Sequence, residues 1–441
     1  MKKRISYLML GLALLAALAL TQCKPAATPT PTTAPAKAGE AATPTSPPPP
    51  KEVKIVYWEQ EGDEVDVFLD ELVNKFMEEH PNITVERVHY GNEELRDQFQ
   101  TAGLAGAAPE LVRVPNDFAG PFSSLQLVLP IDEVFDKAFL DTLDPLAIQA
   151  SRVAGVDWGV PDNYGNHLML LYNKDLVSEP PKTTDELIEM AKGLTKDEDG
   201  DGEPDQWGFA YNLNEPFWLA PWIGGFGGWP LNEKDEPDLG SEAVVKALQF
   251  VHDLKWTHKI VPVECDYNCA DTLFKEGKAA MIINGDWSLG GYAEALGDKL
   301  GVAPIPEIPG YGWPSPMTSG KYWMVSKQVK DDPDKLAAVK TFVEYMCSKE
   351  VQKQWLEKFK RLPSNKELQN DPAITSDPIL AGSMAQLQKG RGMPAAPEMR
   401  CAWDAMRPNL EAVMADSITP EEAAAKMQEE ATRCVQEMQG G

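Results

Sequence analysis

Positive charge is scarce in this chain: 41 lysines and arginines stand against 68 aspartates and glutamates, a formal balance of −27 at pH 7. So acidic a chain repels a phosphate backbone or an anionic membrane surface, which excludes nucleic acid as the main partner. Cysteine is sparse too, with 6 in 441 residues, and no Cys or His spacing supports a zinc site. Beyond the first 20 residues no apolar run could span a bilayer. What remains is ordinary for a folded body. The 43% hydrophobic and 25% charged content excludes wholesale disorder, and the length favours two lobes with a sizeable core.

The first residues have the pattern of an export signal: Lys2, Lys3 and Arg4 lead into an apolar run, residues 8–20, too short for a spanning helix. Cys23 follows directly, which resembles the lipobox of bacterial lipoproteins, where that cysteine is lipidated and becomes the new N-terminus. Gln22 departs from the small residue usual at such a cut, and Ala17-Leu18-Ala19 offers ordinary signal peptidase an alternative. Residues 1–22 read as signal peptide. Residues 23–51, rich in Pro, Thr and Ala, cannot bury enough apolar surface to offset ordering entropy and read as an extended tether to the membrane.

The body opens with Val53-Lys54-Ile55-Val56-Tyr57-Trp58, a β-rich run, followed by apolar residues at helical period from Val65 to Met77. Pro81-Asn82 breaks that helix before a second strand at 83–88, completing a β-α-β unit. A helix at 93–104 and an apolar run at 111–114 continue the alternation, which predicts a mostly parallel sheet covered on both faces. The same grammar resumes after the run 168–172. Thr183 with Glu186 forms a capping box, Ser241 starts another helix, and 279–283 reads as a strand. Two α/β bodies predict a ligand cleft at the carboxyl ends of their strands.

Five cysteines follow Cys23, an odd number in an oxidising compartment, so at least one is free. Residues 402–414 and 421–435 read as helices joined near Ile418-Thr419-Pro420, and Cys401 and Cys434 would sit level in that antiparallel hairpin, a disulfide candidate. Cys265 and Cys269 form a second, local candidate. Cys347 lies within a helical apolar pattern as a buried thiol.

Five stretches in order resemble the extracellular sugar-binding proteins of ABC importers, most closely the maltose and maltodextrin branch. They are Leu171-Tyr172-Asn173-Lys174-Asp175-Leu176, Pro180-Pro181-Lys182-Thr183-Thr184-Asp185-Glu186-Leu187, Asn212-Leu213-Asn214-Glu215-Pro216-Phe217, the run from Phe274 to Trp287 that ends Asn284-Gly285-Asp286-Trp287, and Gly392-Met393-Pro394-Ala395-Ala396-Pro397-Glu398-Met399 before Trp403. The resemblance implies an α/β, two-lobe periplasmic-binding-protein-like fold (type II), with hinged lobes that close on a ligand and then meet a membrane permease. It divides the body into 52–164 and 316–362 for the first lobe, and 165–315 and 363–441 for the second. A monomer is expected.

A sugar presents an apolar ring face and a rim of hydroxyls, so its site needs flat aromatics and carboxylates or amides. The chain has 12 tryptophans. By resemblance, Trp287 and Trp403 match stacking aromatics, Phe217 an aromatic contact often filled by tyrosine, and Glu215 a hydroxyl-accepting carboxylate. Glu86 and Asp117 match further hydroxyl-binding carboxylates, while Asn166 stands where a glutamate is expected. Val114 and Phe118 replace the tryptophan and arginine of the best-known maltodextrin binders, and Trp58, Glu61 and Asp63 fall at the rim. No enzymatic activity is expected. The fold also serves other solutes, such as a polyamine or an amino sugar, and a surface glycoside hydrolase would need similar aromatics; nothing in the sequence assigns an acid and a nucleophile.

Asp197, Asp199, Asp201, Glu203 and Asp205 place acids at alternating positions with Gly202 sixth, as in an EF-hand loop, although Gly208 stands where the bidentate glutamate belongs. The spacing suits a structural Ca²⁺. A solvated acidic turn is the alternative, and no other cofactor is expected.

Overall fold

Apolar residues at every second position drive the first strands, and at every third or fourth the helices between them. The computed structural model describes residues 51–440; the readings of the leader, Cys23 and nearly all of the tether lie outside them. Strand β1 (Val53–Glu59) pairs in parallel with β2 (Ile83–His89) and β3 (Leu111–Pro115). The crossovers are helix α1 (Asp66–Glu79), which buries Phe68, Leu69, Leu72, Val73 and Phe76, and α2 (Asn92–Leu104). A short strand β4 (Val160–Pro161) ends the first run.

The chain then crosses to a second sheet. Its strands are β5 (Leu168–Asn173), β6 (Trp207–Ala210), β7 (Ala279–Gly285) and β8 (Leu300–Ala303), in the order β8-β5-β7-β6. Helix α3 (Thr184–Leu194) starts where Thr183 Oγ1 accepts from Glu186 N at 3.2 Å, but the reciprocal bond of the capping box goes to Lys182 N, 2.7 Å from the Glu186 carboxylate. Helices α4 (Pro216–Gly225), α5 (Glu242–Trp256) and α6 (Tyr267–Lys275) complete this lobe's first part.

Strand β9 (Lys321–Val325) returns to the first sheet, antiparallel between β3 and β4, giving the order β2-β1-β3-β9-β4. It brings Trp323, fully buried, to 5.2 Å from Tyr57 and 5.5 Å from Phe342 between ring centroids, and burying one such ring contributes about 1.5–3 kcal/mol. Helices α7 (Pro333–Met346) and α8 (Lys349–Phe359) cover this core, while α9 (Glu398–Met414) and α10 (Pro420–Gly440) pack on the core of the second sheet. Crossing segments lie side by side: Asn163–Tyr164 pairs with Leu362–Pro363, and Gly165 N donates to Ser319 O at 2.9 Å.

Cys265 is bonded to Cys269 and Cys401 to Cys434, with Cα separations of 5.2 and 5.6 Å, and the free thiol of Cys347 is buried. Among the described residues no helix is long and apolar enough to cross a membrane.

Candidate ligand-binding cleft

The carboxyl ends of the parallel strands, with the amino ends of the antiparallel β5 and β9, open onto one cleft of about 570 Å³. Gln60 and Glu61 follow β1, His89 and Tyr90 close β2, Asp117 follows β3, Asn212 follows β6 and Trp287 follows β7. Strand ends suit this work because the regular ladder stops there and the side chains beyond it are free to turn inward.

Aromatic rings make one wall. Phe217, at the start of α4, lies 6.1 Å from Trp287 and 6.4 Å from Trp403, and Trp218 lies 5.9 Å from Trp287. Their polar edges are tied down: Trp287 Nε1 donates to Tyr267 Oη at 3.2 Å and Trp218 Nε1 to the Ile283 carbonyl at 2.8 Å. Tyr267 lies between the bonded Cys265 and Cys269, so that disulfide steadies a residue of the wall.

Charged groups join the lobes across the opening. Trp403 Nε1, on α9, donates to Asp117 Oδ2 at 3.1 Å. Arg407, one turn on, holds the Glu215 carboxylate at 2.5 and 3.2 Å and reaches Glu93 of α2 at 3.3 Å. Arg96 and Arg400 also converge on Glu93, at 2.5 and 2.8 Å. Burial pushes the Asp117 carboxyl up to about 6, with the Glu93 charge adding to the effect and the Trp403 hydrogen bond opposing it. Burial raises Glu215 as well, against the pull of Arg407. Three buried polar atoms of the lining have no hydrogen-bond partner among the described residues: the acceptor Asp117 Oδ1 and the donors Gln60 Nε2 and Arg361 Nε. Burying such atoms unpaired costs about 1–3 kcal/mol each, which ligand hydroxyls would recover.

The base of the cleft, beside the crossing segments, is a buried ionic cluster. Arg361 reaches Glu61 at 2.6 and 3.1 Å, Arg113 bonds both Glu61 and Asp162, and Trp323 Nε1 donates to Asp162 at 2.9 Å. Burial opposes ionisation of Glu61, but the Arg361 and Arg113 charges outweigh it and hold the carboxyl well below its usual range. Nearby, Asp286 accepts from Asn166 N at 3.1 Å and His167 N at 3.3 Å; Asn166 takes a left-handed φ of 47° to reach it.

Of the seven ligand candidates, the structure brings Asp117, Asn166, Glu215, Phe217, Trp287 and Trp403 to this cleft. Glu86 is a correction. Strand β2 runs on to His89, so position 86 lies mid-strand opposite Val56, on the outer face, with its carboxylate 2.5 Å from Lys54 Nζ. Glu61 lines the cleft, but Asp63 does not, and Trp58 packs against Tyr90 and Phe99. Val114 and Phe118 are buried in the core.

In the acidic loop, carboxylate oxygens of Asp197, Asp199 and Asp205 lie within 4.8 Å of one another, while Asp201 and Glu203 stand apart from that group. Asp197 accepts from Gly200 N and Gly202 N at 2.7 and 2.9 Å, so backbone amides offset part of the repulsion.

Several cleft residues lay beyond sequence reasoning: Glu93, Trp218, Tyr267, Lys321, Arg361 and Arg407. One signal was available. A lysine opening the apolar run Tyr322-Trp323-Met324-Val325 is costly to bury without purpose.

Comparison with known proteins agrees with this geometry. The profile of a family described as bacterial extracellular solute-binding protein matches residues 71–382. A maltotriose-binding protein of Pyrococcus abyssi is 30% identical over 370 residues, 82% of this chain and 78% of that protein. A maltooligosaccharide ABC transporter solute-binding lipoprotein of Streptococcus pneumoniae is 26% identical over 315 residues, 70% of this chain and 72% of that protein. The solved maltose/maltodextrin-binding domain of Bdellovibrio bacteriovorus, bound to maltotriose, superposes with a TM-score of 0.83 at 40% identity, covering 87% of this chain and all of that domain.

Proposed function

The chain belongs to the bacterial extracellular solute-binding proteins, in their maltose and maltodextrin branch, and from that premise we propose that it captures a maltooligosaccharide outside the cytoplasm and delivers it to an ABC importer. The observation that carries this reading is the wall of Phe217, Trp287 and Trp403 lining one cleft together with the carboxylates of Asp117 and Glu215. Rings stack on sugar faces while carboxylates accept from hydroxyls. The protein binds without catalysis in this reading, as do the relatives named as binding proteins. A lipid anchor at Cys23, a monomeric body and a structural Ca²⁺ on Asp197, Asp199 and Asp205 belong to the same proposal.

Calorimetry of the purified body against maltose, maltotriose and longer maltooligosaccharides tests it. Saturable binding is expected, with a rise in melting temperature by mass action. No binding across that panel, or release of shorter sugars on incubation, would overturn the reading. A Ca²⁺ arm of the melting series should raise stability, and Asp197→Asn should remove that rise.

The raised Asp117 pKa gives the binding a pH dependence. Its carboxyl holds its proton more tightly in the folded body than in an unfolded chain, and a sugar hydroxyl donating to Oδ1 favours the ionised form. Binding therefore expels a proton near pH 6, and affinity should weaken roughly three- to tenfold as pH falls from 7 to 5. Asp117→Asn should flatten that limb; an unchanged acid limb in the variant would disprove the assignment.

A further inference from the structure

Lys321 opens β9 directly after the crossing segment at Ser319, with its Cα paired to Pro115, which lines the cleft. Its backbone is locked on both sides: its N–H donates to Asn163 Oδ1 at 2.6 Å and its carbonyl accepts from Asp162 N at 3.0 Å. The side chain, only 8% exposed, lines the base of the cleft.

The neighbouring carboxylates balance the charge of Lys321 together with the two arginines, but their hydrogen bonds go to other donors. Arg113 is shared between Glu61 and Asp162, Arg361 is held by Glu61, and Asp286 is engaged by two backbone amides. No acceptor among the described residues bonds the Lys321 ammonium, although Glu61, Arg113, Arg361 and Asp286 all act on its charge. A lysine only 8% exposed, whose ammonium has no hydrogen-bond acceptor and sits at the wall of a cavity, is placed to donate to whatever enters that cavity.

We propose that Lys321 is a ligand-contacting, specificity-determining residue: its ammonium donates to hydroxyl or ring oxygens of the sugar unit that reaches the base of the cleft. The inference rests on the sugar-binding reading and adds to it a donor-only subsite beside the hinge. An ammonium has three donors and no acceptor, so this subsite favours a unit that offers oxygen lone pairs and rejects one that presents a methyl group or a cation there. That discriminates against an amino sugar or a polyamine, the solutes a −27 chain would otherwise attract.

Burial pushes the lysine down to about 8, with the Glu61 charge pulling the other way and the two arginines reinforcing the shift. An accepted hydrogen bond favours the charged form, so affinity should be full below pH 8 and fall as pH rises through it.

The test is calorimetry with maltotriose at pH 6.5 and pH 9.5 on the wild type, Lys321→Met and Lys321→Arg, with melting curves to check folding. The wild type should lose affinity at the higher pH. Lys321→Met should bind roughly tenfold or more weakly at pH 6.5 and show a flat alkaline limb; Lys321→Arg, charged throughout, should be flat as well. If the wild type binds and either folded variant keeps the wild-type alkaline limb, or Lys321→Met binds as tightly as the wild type, this inference is overturned alone. If the wild type binds no maltooligosaccharide, the functional reading fails and takes the inference with it.

Discussion

Trp403→Ala should weaken maltotriose binding roughly a hundredfold or more, because it removes three contributions at once. The indole presents a flat face beside Phe217, its N–H bridges to Asp117 in the opposite lobe, and its body fills the second-lobe core at 7% exposure. The last contribution makes a stability loss of about 3 kcal/mol or more expected as well, so binding and melting must be measured together. Trp403→Phe separates them. It keeps a stacking ring and most of the packing but cannot donate to Asp117, so it should recover stability and only part of the affinity. If Trp403→Ala folds and binds as the wild type does, the aromatic wall is not the sugar platform.

Glu61→Gln should produce the largest loss of stability, about 3–5 kcal/mol in urea unfolding. The carboxylate lies buried between two guanidinium groups, both essentially inaccessible. Arg113 would keep Asp162, but Arg361 would be left in the interior with no paired carboxylate, and its Nε already has no partner. The sharper measurement is the double variant Glu61→Met with Arg361→Met, which removes charge from both sides and should lose less than Glu61→Gln alone. A double variant that is less stable than the single would mean that the pair contributes more than mutual neutralisation.

Local chemistry was legible from the chain, and long-range partnership was not. The β-α-β unit from Val53 to His89 could be read because alternation, helical period and the Pro81-Asn82 break all act within a few residues. The hairpin holding Cys401 and Cys434 could be read for the same reason. Glu215 and Trp403 were found through matched blocks, yet nothing in either block indicates that Arg407 would join Glu215 across 192 positions or reach Glu93 across 314. Glu86 failed because the family match fell on a residue inside the strand, where its side chain takes the outer face opposite Val56 and pairs with Lys54 instead of turning into the cleft.

The placement of β9 bears on the order in which the molecule is built. The second sheet is contiguous in sequence, Leu168 to Ala303, whereas the first must leave β3 with an open edge until Lys321–Val325 arrives. Bonds that seal the first lobe join residues 161 and 300 positions apart, and contacts so distant form slowly because a long loop must close before they can. During that interval the apolar rows of β1 and β3 lack the cover of Trp323 and stand open to wrong partners. The sheet begun first is thus the sheet finished last.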